Sequence, residues 1–403
     1  MSSTLGRFSF DSFRTKIGSA SRFAAKAGFR VRNTQMYPIK LRPQSIEKVW
    51  GGHELARVLH RKIPGRAAIG EIWVAWDGLW IKNGRWRGQL LRDLVARQRD
   101  AVLGPGIDPT TVSEFPLLVK FLDARQHLSI QVHPNDAYAR LHEGQPFGKS
   151  EMWYVVAAEP GAVIYQGLSH PMTPTELRSA LESGSIVDHL AKIEVKPGDV
   201  FVNAPGTIHA LGAGIVIFEL QQSSDLTYRL YDWDRPSAGA RRPLHVDRAV
   251  DVADYLPLSI HQVRPIRIPG PGPDRAFLGA SQYYAAELWS IDETEHVMAH
   301  RDRFELITAL AGTAHLRIPK SLAPAATLAG GETALIPAGI EEYTIRSIGA
   351  SAQVIRSYVP DLRKDLIDPL QAGGASDDDI MRLGGDPRTS ALAALPSKRG
   401  QTP

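Results

Sequence analysis

The sequence predicts a mainly β protein made of two β-rich blocks, and three observations carry that prediction. Its 403 residues include 35 Gly and 28 Pro, a density that favours short strands joined by turns over a helical bundle. Apolar stretches such as Phe115–Leu122 and the run around Gly214–Leu220 have the length of buried strands. The segment Leu256–Pro273 contains Pro-Leu-Ser, Arg-Pro and Pro-Gly-Pro-Gly-Pro and reads as a linker between the blocks. A chain of this length has room for two or three domains, each with its own core.

Taken in order, the chain opens with a basic leader over residues 1–37. Met1–Tyr37 holds seven Lys and Arg against one acid, Asp11, so the net charge of +4 belongs to the leader and the remainder is slightly acidic. The basic balance is therefore no sign of a nucleic-acid surface. The leader is rich in Ser and Arg and poor in acids, a composition shared with mitochondrial transit peptides; lacking an apolar stripe, it reads as a disordered leader or as a start codon placed too far upstream. No clean apolar centre follows the first charges, and no run approaches the ~20 residues of a membrane helix. Secretion and membrane insertion are thus not expected, and the expected compartment is the cytoplasm.

Val49-Trp50-Gly51-Gly52 reads as a turn and Gly70–Trp76 as a strand. Gln89–Leu103 places Leu90, Leu91, Leu94, Val95 and Val102 at helical spacing. A second helix is expected from Thr173, a cap followed by Pro174, to its stop at Gly184. The first domain is expected over 38–258 and a second β-rich domain over 259–362. From 363 to 403 the chain is polar and broken by glycines, and reads as a disordered tail.

The hydrophobic fraction of 43% and the charged fraction of 22% are those of a soluble globular protein. There is no cysteine, which excludes disulfides, a thiolate metal site and a cysteine nucleophile. A transition-metal site must then draw on His, carboxylate and amide oxygen. The segment Leu128–Asp136 offers Gln131 and His133, two apart and so on one face of a strand. Glu151 follows in Gly148-Lys-Ser-Glu-Met-Trp-Tyr at the mouth of an apolar strand, and His209 follows the turn Ala204-Pro-Gly-Thr-Ile. Two imidazoles, a carboxylate and an amide suit zinc or a neighbouring divalent metal. Each piece alone is commonly bland: a Gln-x-His on a strand is usually surface decoration, and a lone Glu before a strand is usually solvated. Their arrangement on consecutive predicted strands of one block is what raises them above that.

From about Pro38 to about Leu362 the chain closely resembles the type I mannose-6-phosphate isomerases, in the shorter bacterial form. The segments that carry the resemblance are Lys120-Phe-Leu-Asp through Gln-Val-His-Pro-Asn-Asp, Gly-Lys-Ser-Glu-Met-Trp-Tyr, Gly-Thr-Ile-His-Ala-Leu-Gly-Ala-Gly, and Glu219 through Asp225 and Arg229 to Trp233. The resemblance implies two cupin barrels (double-stranded β-helices of jelly-roll type), with a few helices packed on the first. It implies one zinc ion per chain on Gln131, His133, Glu151 and His209, and an active-site arginine at Arg229. It further implies interconversion of mannose 6-phosphate and fructose 6-phosphate through a cis-enediol, within mannose metabolism. Glu219 is the favoured base and Asp225 the other candidate, the bland role of Asp225 being to stabilise a turn. Lys120, buried among Val119 and Phe121, forms with Ser129 and Lys149 the expected phosphate clamp. For Lys149 a solvated loop position is the bland reading. A metal-dependent cupin oxygenase and a non-catalytic sugar-binding cupin remain the alternatives. The expected partner is the sugar phosphate alone, on a monomer or homodimer.

The second block repeats the first. Gly198, five residues, Ala204-Pro-Gly and then His209 correspond to Gly331, five residues, Pro337-Ala-Gly and then Glu342. By that alignment the four ligand positions become Met298, His300, Glu305 and Glu342, an eroded set in which His300 and Glu305 are expected to pair with one another.

Overall fold

A computed structural model describes residues 36–60, 67–109, 112, 114–237, 240–269, 272–299 and 302–394. The expected leader, apart from Met36 and Tyr37, and His300 lie outside the described residues. Met36 and Tyr37 themselves are buried in the core.

The first block contributes twelve strands: β1 Ile39–Lys40, β2 Gln44–Gly52, β3 Ile69–Ala75, β4 Leu117–Ala124, β5 Ile130–Val132, β6 Glu151–Ala158, β7 Val163–Leu168, β8 Leu190–Glu194, β9 Val200–Asn203, β10 His209–Leu211, β11 Ile215–Gln222 and β12 Tyr228–Tyr231. Two antiparallel sheets result. The larger runs Gln262–Val263, β9, β6, β11, β4, β3, β2, and the smaller β12, β5, β10, β7, β8. Between them lies an apolar interior built from Leu122, Trp153, Phe201, Ile217, Leu128, Ile164 and Leu211. Burying such side chains is the main favourable term, about 1.5–3 kcal/mol each. Behind the smaller sheet, helices Pro174–Glu182 and Val246–Val252 add a second apolar layer with Leu177, Ala180, Ala249 and Val250. The first of these starts where the sequence places it, with Thr173 and Glu176 forming a reciprocal capping box.

The second block is again a seven-stranded sheet facing a smaller one. The seven strands run β1, Thr333–Ile336, Glu305–Ala311, Ala352–Tyr358, Ala285–Ile291, Asp274–Ala280, Ile266–Arg267. Position by position this is the order of the first large sheet, and apart from the edge strands β1 and Gln262–Val263 the equivalent strands follow in the same chain order. The two blocks are stitched by exchange at equivalent edges. β1, from the start of the chain, pairs with Ala334 and Leu335 of the second sheet, and Gln262–Val263 pairs with β9 of the first. One large core consequently runs through both barrels.

Three expectations change. Val49–Gly52 is no turn but the end of β2, because Gly51 passes so near Gly70 that an added Cβ would sit 2.5 Å from its backbone nitrogen. The expected linker supplies the short strands Gln262–Val263 and Ile266–Arg267. The described residues of the expected disordered tail, 363–394, instead form helical turns over Leu362–Ile367, Asp368–Ala372 and Asp377–Arg382. These bury Leu366, Leu370, Ile380, Leu383 and Leu392. Leu366 and Leu370 lie four apart and Ile380 and Leu383 three apart, a helical spacing that a polar average conceals. Among the described residues, no helix is long and apolar enough to cross a membrane.

Candidate metal and active site

His133 follows β5, Glu151 opens β6 and His209 opens β10. All three are buried, and their ligand atoms lie within 4.8 Å of one another, the one such cluster among the described residues. Local geometry explains the convergence. Gly206 turns the chain with φ +91 before His209, a conformation that suits glycine, and its N–H donates to the His133 carbonyl at 2.9 Å. Gly148 lets the Lys149–Glu151 segment approach His133: a Cβ there would stand 2.4 Å from the Pro134 carbonyl oxygen.

Each imidazole donates Nδ1–H to a backbone carbonyl, His133 to Leu226 at 2.8 Å and His209 to Thr207 at 2.9 Å. That leaves both Nε2 lone pairs for the cluster, the tautomer a metal ligand requires. His209 Nε2 lies 3.0 Å from Glu151 Oε1, and His133 Nε2 lies 3.4 Å from Oε2. Burial and then the Lys149 ammonium push the His133 pKa down to about 3, so the ring is neutral and ready to donate electrons. Burial opposes ionisation of Glu151, but the Lys149 ammonium outweighs it and holds the carboxyl well below its usual range. Asn203 Nδ2 also donates to Glu151 at 3.3 Å, and Gln166 holds Asn203. Lys149 Nζ donates to His133 Nε2 at 3.0 Å and to Glu151 Oε2, so a cation already stands among these donors. Gln131 Nε2 is 3.4 Å from His209 Nε2, and exchange of the amide O and N would present an oxygen there. Two imidazole nitrogens, a carboxylate and an amide fit a divalent ion such as zinc.

Beside the cluster opens a cavity of about 220 Å³. Its lining includes Lys120, Ser129, Gln131, Lys149, Glu219, Asp225 and Arg229, all singled out from the sequence. Strand register brings them together: Gln131 stands opposite His209 on one side and Arg229 on the other, while Lys120 stands opposite Glu219. Lys120 Nζ lies 3.1 Å from Glu219 Oε2. Burial opposes its charge, but Glu219, Glu71 and Asp225 outweigh burial and raise its pKa. Trp153 Nε1 donates to Glu219 Oε1 at 2.9 Å, and Trp73 Nε1 to Glu71 Oε2 at 2.6 Å. Asp225 is exposed at the mouth.

The sequence reading missed Lys48, Glu71, Thr227 and Arg242, which line the same cavity. Glu71 was embedded in an expected strand and carried a signal of its own, a carboxylate in the apolar run Ile69–Ala75. Arg242 lies beyond a loop and carried none.

In the second block, among the described residues, Glu305 does not face a partner set of metal type. Its carboxylate accepts from Arg356 and from the Tyr343 hydroxyl at 3.0 Å. Arg356 also pairs with Glu287 at 2.7 Å. Glu342 is exposed and Met298 half-buried.

Comparison with known proteins gives a consistent picture. Residues 39–154 match the family described as phosphomannose isomerase type I, catalytic domain. A mannose-6-phosphate isomerase of Streptococcus mutans is 37% identical over 289 residues, 70% of this chain and 87% of the relative. The mannose-6-phosphate isomerase ManA of Bacillus subtilis is 39% identical over 222 residues, 54% of this chain and 68% of the relative. The crystal structure of a mannose 6-phosphate isomerase from Bacillus subtilis superposes with a TM-score of 0.72 at 30% identity, covering 80% of this chain and 99% of that one.

Proposed function

This chain belongs to the type I mannose-6-phosphate isomerase family, and from that premise we propose that it interconverts mannose 6-phosphate and fructose 6-phosphate in the cytoplasm through a cis-enediol, with zinc as its metal. The observation that carries this reading is the buried His133, Glu151 and His209 cluster standing beside a charged cavity of about 220 Å³. Zinc, when held by Gln131, His133, Glu151 and His209, supplies a Lewis acid for the negative charge that grows on the sugar oxygen.

The remaining work falls to side chains. Proton transfer between C1 and C2 needs a base in reach of the carbon. Glu219 is that base: Trp153 and Lys120 hold its carboxylate in the cavity wall. Asp225, at the mouth, is the other candidate. Arg229 lends charge-assisted hydrogen bonds to the same developing oxyanion. Lys120, Ser129 and Lys149, which line the same cavity, are the candidate clamp for the phosphate.

A coupled assay for fructose 6-phosphate formed from mannose 6-phosphate tests the reading, together with metal analysis. Activity that falls on chelation and returns with zinc is expected. Undiminished turnover in metal-free protein, or no turnover in zinc-loaded protein, overturns it.

A further inference from the structure

Charge bookkeeping around the cavity separates its cations into two groups. Lys48 and Lys120 are each within ion-pair distance of a carboxylate, Glu71 at 2.9 Å and Glu219 at 3.1 Å, and Lys149 is bonded to Glu151. Their charges are matched inside the barrel. Arg229 is different. Its Nη1 donates to the Pro243 carbonyl at 2.8 Å, its buried Nε has no partner, and no carboxylate among the described residues lies within ion-pair distance.

Arg242 stands on the same cavity wall. Asp232 grips it by two points, Nε to Oδ2 at 2.7 Å and Nη2 to Oδ1. Asp232 is buried and also takes Arg235 Nη2 at 2.7 Å. Arg235 lies outside the cavity lining and is tied by Nη1 to the His127 carbonyl at 2.6 Å. Two guanidinium groups thus share one carboxylate, and Arg229 stands beside them without one. Burial and then Arg242 lower the Arg229 pKa, so the two arginines feel one another. Like charges held together in a half-buried wall repel, and an anion relieves that repulsion. With Nε and Nη2 committed to Asp232, the Nη1 of Arg242 remains for a ligand, held in a fixed plane suited to phosphate oxygens.

We propose that Arg242, oriented by Asp232 and acting beside Arg229, is a binding residue for the phosphate of the substrate, and that the uncompensated arginine wall, more than the neutralised Lys120, sets the preference for a phosphorylated sugar. This rests on the isomerase reading above, since it assigns a residue to the same cavity. Asp232 is a positioning residue for Arg242.

The experiment uses the metal-loaded full chain and inorganic phosphate as probe, both as competitive inhibitor and in direct calorimetric titration. Arg242→Gln is expected to raise KM for mannose 6-phosphate and weaken phosphate inhibition in parallel, each by about 10–100-fold, the scale of a lost charged hydrogen bond. The fall in kcat should be smaller than either. Arg242→Lys keeps the charge without the two-point grip and should recover part of the loss. Arg267→Gln, at an exposed arginine paired with Asp274 and outside the cavity lining, should leave phosphate inhibition where it was. Wild-type phosphate affinity in a folded Arg242→Gln protein overturns the assignment. If that variant does not fold, unchanged phosphate inhibition in Arg242→Lys overturns it equally. Should the wild type fail to turn over mannose 6-phosphate, the isomerase reading falls alone, and the phosphate titrations still decide Arg242.

Discussion

The two large sheets carry the same interior row with its signs reversed. In the first, Glu71, Lys120 and Glu219 lie on adjacent strands, with Lys120 opposite both Trp73 and Glu219. In the second, the equivalent positions hold Arg275, Glu287 and Arg356, with Glu287 opposite both Phe277 and Arg356. A tryptophan indole steadies a carboxylate in each, Trp73 on Glu71 and Trp289 on Glu287. Even the metal-type glutamate has its counterpart, since Glu305 stands where Glu151 does. The barrel demands that buried charges be paired and is indifferent to which strand supplies which sign. The difference lies in what remains unpaired. Arg356 takes both Glu287 and Glu305, which closes the second interior on itself. In the first, Glu151 is gathered with two imidazoles, and Arg229 has no carboxylate within ion-pair distance among the described residues.

That contrast can be broken most sharply at the cluster. His209→Ala is expected to lower kcat by at least about a thousandfold and to lose bound metal, the scale of a missing Lewis acid. Arg229→Ala should keep its metal and lose about a hundredfold in kcat, as removal of one preorganised oxyanion donor does. Metal analysis beside kinetics separates the two. Normal kcat with raised KM for Arg229→Ala would move that arginine wholly to substrate binding.

The second barrel should answer in stability alone. Arg356→Met leaves Glu287 and Glu305 buried without their cation, a change expected to cost about 3–5 kcal/mol in chemical denaturation. Its metal content and its kcat at 25 °C should match the wild type. A loss of metal or of kcat in folded Arg356→Met would show that the two interiors are functionally coupled. Lys120→Met should instead combine lost stability with a raised KM.

The smallest effect concerns the stitching between blocks. Glu332 receives Lys82 at 2.7 Å and Lys40, on β1, at 2.9 Å. Burial would raise its pKa, but these two lysines and the Ala329 N–H bring it down from 4.5 to about 2. A carboxyl whose pKa is depressed in the folded state stabilises above its unfolded value, and the contribution is lost as pH falls. Glu332→Gln is thus expected to cost about 1–3 kcal/mol at neutral pH, discounted for partial exposure. The difference from wild type should shrink between pH 4.5 and about pH 2. A cost independent of pH over that window would mean the carboxylate charge contributes nothing to the join.

What the sequence by itself determined was local and repetitive. Strand character over Ile69–Ala75 and Leu117–Ala124, the helix from Thr173, and the Pro-Gly turn before His209 follow from period, capping and backbone freedom within a few residues. Gln131, His133, Glu151 and His209 were legible because each sits in a short segment whose pattern survives without its partners. Which of them meet was decided by register, since a slip of one residue in β5 or β10 would turn Gln131 or His209 to the opposite face. The tertiary structure alone decided where charge is left over. Lys120 looks like a free cation in its own strand, yet carboxylates from two other strands neutralise it. Arg242 looks like a loop arginine until Asp232 and the cavity wall give it an orientation. The same holds for the residues after Leu362, whose sparse apolar side chains acquire meaning only against a core built elsewhere. Hydrogen bonds within a turn are written over three or four residues, whereas compensation of buried charge is a sum over neighbours from distant segments, and no single window of sequence contains its terms.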